Sequence, residues 1–427
     1  MPYRIAGIDV HKRILAVAMA EVEVYGEYDF VRRQFGTSPS QLRALAAWLV
    51  SQQVEEVVME STAQYWRPVW GMLERYWQAP CRQREGAPAT AGGLHLAQAK
   101  SNQGPRGRKN DFADAERLVK RLAANELRLS FVPEGEQRLW RTVMRTKHQW
   151  RRNQVQLQNR LEALLEEAQI KLSSLLSDLL GVSGRRILQA LAAGETDPAA
   201  LAALADPNLR ATRQELGDAL EACRDLPPLY RRLLSSALAE WQQIETRIQQ
   251  LDEEMATLLR AHQDQVQRLA EIPGLGVDSA HQILAEVGSE AATFPSAGDL
   301  ASWMGACPGD NESAGVNASR RSPKGNRHLR RILNQCANAA VKMQGSIFAL
   351  LYRRYVPRQG HKKTVAIIAH RLCRLVWIIL HRGRRYEERG PAVSKQSAQR
   401  RAARMIRELR SLGYHVELPL NPAAKPA

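Results

Sequence analysis

The sequence predicts an α/β N-terminal unit, a long helical coiled-coil middle and a mostly α-helical C-terminal unit. Three observations carry this. Strand-like and helix-like runs alternate over residues 1–125. From 134 to 265 apolar residues recur at intervals of three and four. Beyond 268 a turn, "IPGLG", opens a compact stretch of further helical runs.

In the first stretch, "YRIAGIDV" and "ILAVAMA" read as strands joined by "HKR", a hairpin, and "YDFVRRQF" as a third strand. "SPSQLRALAAWLVSQ" reads as a helix with Ser38 as N-cap and Pro39 in its first turn. "EEVVME" is a short buried strand, "RPVWGMLERYWQ" a helix, and "PCRQRE" a candidate last strand. Residues 86–109, rich in Gly, Ala, Lys and Arg, read as a mobile basic loop before the helix "NDFADAERLVKRLA". A three-strand meander followed by αβα elements is the layout of an RNase H-like (RuvC-like) fold.

In the middle, one helical segment is expected from Glu134 to about Leu180, with Val143, Lys147, Trp150, Gln154, Leu157, Leu161, Leu164 and Ala168 on its seam. A second carries Leu234, Ala237, Trp241, Ile244, Ile248, Leu251, Met255 and Leu258 as a heptad seam, able to pair with the first segment or with a second subunit. The Ala/Leu/Pro-rich run between them, 181–228, suggests short helices and no chemistry. The expected domains are therefore 1–130, 131–267 including that insertion, 268–390, and a basic, partly disordered tail over 391–427.

A chain of 427 residues with 44% hydrophobic residues can bury more than one core. Its 61 Lys+Arg against 44 Asp+Glu leave a net charge of +17, which favours a polyanionic partner, nucleic acid foremost. The five cysteines are scattered and form no CxxC pair, as expected of reduced thiols in a cytoplasmic protein without structural zinc. The N-terminus lacks the apolar core of a signal peptide, and the apolar runs, such as "LVWIIL" at 375–380, are too short to span a bilayer. No membrane partner is expected.

Four carboxylates carry the chemistry. Asp9 and Glu60 end apolar strands, and Asp111 and Asp114 lie three apart, on one face of a helix start. Clustered acids repel one another unless a cation neutralises them, and oxygen ligands suit Mg²⁺ or Mn²⁺. Those ions serve phosphodiester chemistry. Acids at helix starts also complement the helix dipole, which is an alternative reading of Asp111 and Asp114.

The basic segments suggest where nucleic acid binds. Arg138, Arg141, Arg145, His148 and Arg152 share one helical face with no acid among them. "EIPGLGVDSAHQILAEVG" resembles a helix-hairpin-helix turn, in which Gly274 and Gly276 would bring backbone N–H groups to a phosphate. An ordinary Pro-Gly turn is the alternative. "CPGDNESAGVNASRRSPKGNRHLRRIL" concentrates Arg320, Arg321, Lys324, Arg327, Arg330 and Arg331 without an acid from Ser319 to Ile332. Ser313 lies just upstream in a small-residue loop, where a hydroxyl could attack a phosphodiester or merely belong to a binding surface. "YRRYVPRQGHKK" interleaves Tyr352 and Tyr355 with cations, as suits stacking on unpaired bases.

Together, "GIDVHK", "MESTAQYWRPVW", "KNDFADAERL", "IPGLG…LAEVG", "ESAG" and "KGNRHLRR" resemble the DEDD-type transposases of bacterial insertion sequences, the bridge-RNA-guided serine recombinases. The resemblance covers about 1–125 and 268–385. It implies a RuvC-like domain holding Mg²⁺ through Asp9, Glu60, Asp111 and Asp114, and a nucleophilic serine at Ser313. It further implies a structured guide RNA from the element's flank, donor and target DNA, and a homo-oligomer, a dimer assembling to a tetramer, with catalytic domains meeting across subunits. Such a protein works in the bacterial cytoplasm, at the nucleoid. Arg320, Arg321 and Lys324, by proximity, are candidates for stabilising charge on phosphorus. The competing readings are a metal-dependent junction-resolving endonuclease that activates water, and an RNA-binding scaffold without catalysis. A sugar-kinase-like fold, which also opens on a "GID" strand, is disfavoured by the basic helical C-terminus.

Overall fold

The computed structural model describes residues 3–22, 28–60, 63–77, 93–102, 110–307, 312–313, 316–317, 322–388, 403 and 406–407. The chain divides into two compact units, Met1–Pro133 and Glu134–Ala427.

The first unit is built on a five-stranded sheet. Its strands are β1 (Tyr3–Val10), β2 (Ile14–Val22), β3 (Phe30–Gly36), β4 (Glu56–Glu60) and β5 (Gly93–Ala97), in the spatial order β3-β2-β1-β4-β5. The first three form an antiparallel meander, while β1 pairs with β4, and β4 with β5, in parallel. Helices α1 (Pro39–Ser51) and α2 (Trp66–Tyr76) cover one face, where Leu45, Leu49 and Leu73 meet Ala6, Ile8 and Met59. Helix α3 (Asp111–Ala123) covers the other, with Leu118 and Val119 against Ile5 and Val58. Burial on both faces explains why β1 reads as an apolar run rather than an alternating one. Ser38 caps α1 through the Gln41 amide and Pro39 opens it, as expected.

The fifth strand corrects the sequence reading. It lies at Gly93–Ala97, inside the segment read as a loop. The candidate strand "PCRQRE" lies outside the described residues. Strand β5 is followed by a 3-10 turn, Ala99–Asn102.

In the second unit, α4 (Gly135–Glu167) and α9 (Pro228–Leu258) run antiparallel. Lys147 pairs with Asp252, the Arg247 guanidinium lies 4.7 Å from the Trp150 ring centroid, and Arg160 meets Glu240 at 3.5 Å. Leu157 and Leu161 join Leu234, Trp241, Ile244 and Ile248 in one core, so the heptad seam of α9 is covered within the chain. Helix α4 stops at Glu167, short of the expected Leu180, and Gln169 turns the chain with φ +61°. Helices α5 (Leu172–Leu175), α6 (Val182–Ala193), α7 (Pro198–Ala203) and α8 (Arg213–Leu220) contribute Leu172, Leu188, Leu201 and Leu220 to the same core. The insertion thus seals one end of the helix pair.

Among the described residues the unit continues with α10 (Gln263–Ala270), α11 (Val277–Val287), α12 (Ala297–Met304), α13 (Arg327–Ala340) and α14 (Ile347–Arg382). A small hairpin, β6 (Glu312–Ser313) with β7 (Val316–Asn317), lies between α12 and α13. Among the described residues α14 alone has the length and apolarity of a membrane span, in contrast to the short runs read from the sequence. Gly360, at φ 71° and ψ 168°, breaks it, and Ile368, Leu372, Val376 and Leu380 are buried inside the unit. A core helix accounts for it.

Candidate functional site

The acidic residues converge because of register. Ile8 pairs with Met59, so Asp9 and Glu60 follow at the C-terminal ends of neighbouring parallel strands. Asp9 alternates with the residues facing α1 and α2, which turns it toward α3. Gly7 sets the spacing of that layer. A Cβ there would lie 2.1 Å from the Ala115 carbonyl oxygen, so only glycine lets α3 approach β1 this closely. Asn110 caps α3, accepting from the Phe112 amide, and fixes where Asp111 and Asp114 begin the helix.

His11, from the β1–β2 turn, closes the cluster. Its Nε2 lies 3.1 Å from Asp9 Oδ2 and 3.3 Å from Asp111 Oδ1. Donor atoms of Asp9, His11 and Asp111 all fall within 4.8 Å of one another. Burial raises the Asp9 carboxyl to about 6; His11 opposes this, and the negative charges of Asp114, Asp111 and Glu60 add to it. Burial is the main cause and the neighbouring acids add to it; the donor set of carboxylates and an imidazole fits a divalent cation. Glu60 accepts from Asn102 Nδ2 at 2.9 Å, and Asp114 from Arg117 Nη1 at 2.7 Å. Arg117 also donates to the Asn102 carbonyl, at 3.2 Å. Asn102 is 3% exposed; its amide N–H holds Glu60, and its Oδ1 has no hydrogen-bond partner among the described residues. His11, Asn102 and Arg117 were not singled out from the sequence. His11 had one available signal, its place two residues after Asp9 in the tight turn.

Ser313 sits on β6, paired with Val316, in a two-stranded hairpin rather than an irregular loop. The base of this segment is stapled. The Asn326 amide donates to the Trp303 carbonyl at 3.0 Å. Arg330 donates to the carbonyls of Met304 (3.2 Å) and Pro323 (2.7 Å), one on each side of the segment. Gly305 and Gly325 touch, leaving no room for a Cβ on either. Arg320 and Arg321 lie outside the described residues. Lys324 and Arg327 are exposed.

The arginine face of α4 is only partly a surface. Glu286 of α11, 2% exposed, receives Arg145 through two bonds of 3.0 and 2.9 Å. Arg141 donates to the carbonyls of Ala285 (3.0 Å) and Glu286 (2.6 Å). Burial lowers the Arg141 guanidinium to about 10 against the pull of Glu286. Arg141 and Arg145, expected on a phosphate-binding face, are engaged by an acid of α11 that sequence proximity could not reveal. Arg138 is half-buried and Arg152 exposed.

Gly274 also has a packing role. At φ +85°, its Cβ position lies 2.5 Å from the Cys336 carbonyl and the Ala340 nitrogen, so it serves the close packing of the turn on α13. Gly276 precedes α11 with open space around it, and no side chain caps that helix. Arg331 donates to Gln282 (2.7 Å) and Gln335 (3.0 Å). With Arg152 it lines a cavity of about 470 Å³ on α4, α11 and α13.

Residues 6–170 match a family model described as a transposase and named for the DEDD transposases of IS110. Residues 266–353 match a second, described as the transposase IS116/IS110/IS902 family. The chain carries IS110-family transposase domains. The first transposase match contains the whole acidic cluster, and the second contains Ser313 and the stapled base of its segment. These domains mark an enzyme that acts on DNA. No curated protein matches the chain.

Proposed function

We propose that this transposase cuts and rejoins DNA through a covalent phosphoserine on Ser313, assisted by a divalent metal at the acidic cluster and guided by an element-encoded structured RNA. The observation that supports it most is the convergence of Asp9, His11 and Asp111, with Glu60 and Asp114 beside them, in a chain whose second transposase match holds Ser313. Asp9 and Asp111, with Glu60 and Asp114 adjoining, would hold Mg²⁺ or Mn²⁺. When bound, the ion supplies Lewis-acid stabilisation of a phosphate oxygen. Asn102 and Arg117 keep Glu60 and Asp114 in place.

Ser313 Oγ attacks phosphorus as its proton passes to a carboxylate or to water. A P–O bond forms to serine, the P–O bond to the departing strand breaks, and that strand leaves as a free hydroxyl after taking up a proton. Because the phosphoester is kept, the reverse attack by a strand hydroxyl reseals DNA without ATP. Arg320, Arg321 and Lys324 stabilise the charge on phosphorus. Arg152, Arg327, Arg331 and the backbone after Gly276 are the proposed nucleic-acid contacts. A homo-oligomer in the bacterial cytoplasm is the expected working form.

Asp9→Asn should abolish strand cleavage while leaving folding and nucleic-acid binding intact, and excess EDTA should do the same to the unaltered protein. Full activity in EDTA would remove the metal from this scheme. The second reading is a junction-resolving endonuclease using water. It is favoured by an acidic cluster that is complete within the first unit, and it differs in leaving no protein–DNA adduct.

A further inference from the structure

We infer that the cavity on α4, α11 and α13 holds one nucleotide of an unpaired nucleic-acid strand, an inference that rests on the chain acting on nucleic acid. The cavity measures about 470 Å³, within the range of small-molecule pockets of roughly 300–1,000 Å³. Three guanidinium groups line it, those of Arg151, Arg152 and Arg331. Arg331 is held by Gln282 and Gln335, and Arg151 donates to Gln154 at 2.9 Å. These hydrogen-bond partners are neutral amides that orient the cations, while Asp278 and Glu286 act on Arg331 through space. The acid in the wall, Asp278, is taken up by Lys147 and by Gln282, the latter at 2.7 Å.

Charge alone would suit any phosphate. Two further features select a nucleotide. Val155, 57% exposed, gives the cavity an apolar patch, with the buried Met144 beneath it. A bare anion gains nothing from that patch, whereas a base or sugar packs on it. Gln156 in the wall offers an amide that both donates and accepts, as base edges require, and Gln335, whose oxygen accepts from Arg331, adds its N–H donors. A base inside a duplex hides its faces in the stack and its pairing edge in the partner strand. A concave site offering apolar and amide contacts beside guanidinium groups therefore fits a base that has left the stack.

The test uses the full chain and dye-labelled 12-nucleotide strands, one DNA and one RNA of the same sequence, with the matching DNA duplex and heparin as controls. Arg151→Ala/Arg152→Ala changes two exposed side chains. Losing two single-strand phosphate contacts should weaken binding roughly tenfold near 0.15 M salt and reduce the salt slope by about 1.4. Loss confined to one strand type identifies DNA or RNA as the occupant, and loss on both shows that the shared phosphate-and-base chemistry is what is held. Gln156→Ala should shift the preference among homopolymer strands without changing the slope. A photoreactive base in the strand should crosslink to peptides covering 144–156 or 331–335. Equal losses for duplex and heparin would show a diffuse basic patch and overturn the inference, as would unchanged affinity in the double variant. The unaltered protein binding no nucleic acid at all would overturn the proposed function as well. Ser313→Ala must retain this binding, so a failure of the phosphoserine scheme is read separately.

Discussion

Glu286→Ala should be among the most damaging single changes in the second unit. Glu286 is 2% exposed, and Arg141 and Arg145 have side chains 11% and 34% exposed. Removing the acid leaves Arg141 buried without its charge partner, and Arg145 without its two bonds. It also strips Asn326 Nδ2 of a 2.7 Å acceptor, at the residue whose Oδ1 caps α13 through His328 and Leu329. Breaking a buried ion pair from one side costs about 3–5 kcal/mol. Glu286→Gln, which keeps the shape and part of the bonding, should cost about 1.5–3 kcal/mol, the range for a hydrogen bond to a charged group. Hydrogen exchange on the full chain, read by mass spectrometry on peptides from α4, α11 and the start of α13, would report the loss locally while β1 and β4 stay protected. The same network predicts acid sensitivity. Burial works to raise the Glu286 carboxyl, but Arg145, Arg141 and Asn326 prevail and hold it below its ordinary 4.5. His328 is pushed down from 6.5 to about 4 by burial and by Arg145. Both groups are depressed, so each contributes stability that is present above its ordinary value and lost as pH falls through its folded one. Protection of these helices should therefore decline from about pH 6.5 to 4 and below, and Glu286→Ala should be weakened already at neutral pH. A Glu286→Ala protein within about 1 kcal/mol of the unaltered one at pH 7 would refute the claim that this acid supports α4, α11 and α13, since a buried partner removed should cost several times that.

Gly7→Ala places a methyl group against the Ala115 carbonyl. It should cost about 1–3 kcal/mol by overpacking and lower Mn²⁺ affinity measured by calorimetry, because α3 carries Asp111. Ile248→Glu, at a position 2% exposed, should unfold the α4–α9 pair, seen as lost helical signal on heating, rather than simply separate subunits.

Much of the first unit was legible in the sequence because its signals are local. Ser38-Pro39 announces α1, and the apolar run through Asp9 reads as a strand. Asp111 and Asp114 follow from spacing alone. Strand β5 was not legible: Gly93, Leu94, His95, Leu96 and Ala97 lie in a Gly/Ala-rich stretch, and their strand state comes from pairing with β4. The internal partner of the α4 arginines was hidden for a related reason. That acid, Glu286, is 141 residues from Arg145 in sequence and only the fold brings it near. The packing of Gly274 on α13 was likewise invisible in the sequence. His11 escaped notice because a histidine in a turn has no periodicity to betray its direction.

The most direct test of the account is to trap the protein on nicked or suicide DNA and locate the bond. The account predicts a phosphoserine linkage on the peptide containing Ser313, absent from Ser313→Ala, which should still bind RNA and DNA. An adduct on Ser319 or Ser322 would move the nucleophile along the segment. Mg²⁺-dependent cleavage by Ser313→Ala, with no adduct in the unaltered protein, would contradict the covalent scheme and establish hydrolysis in its place.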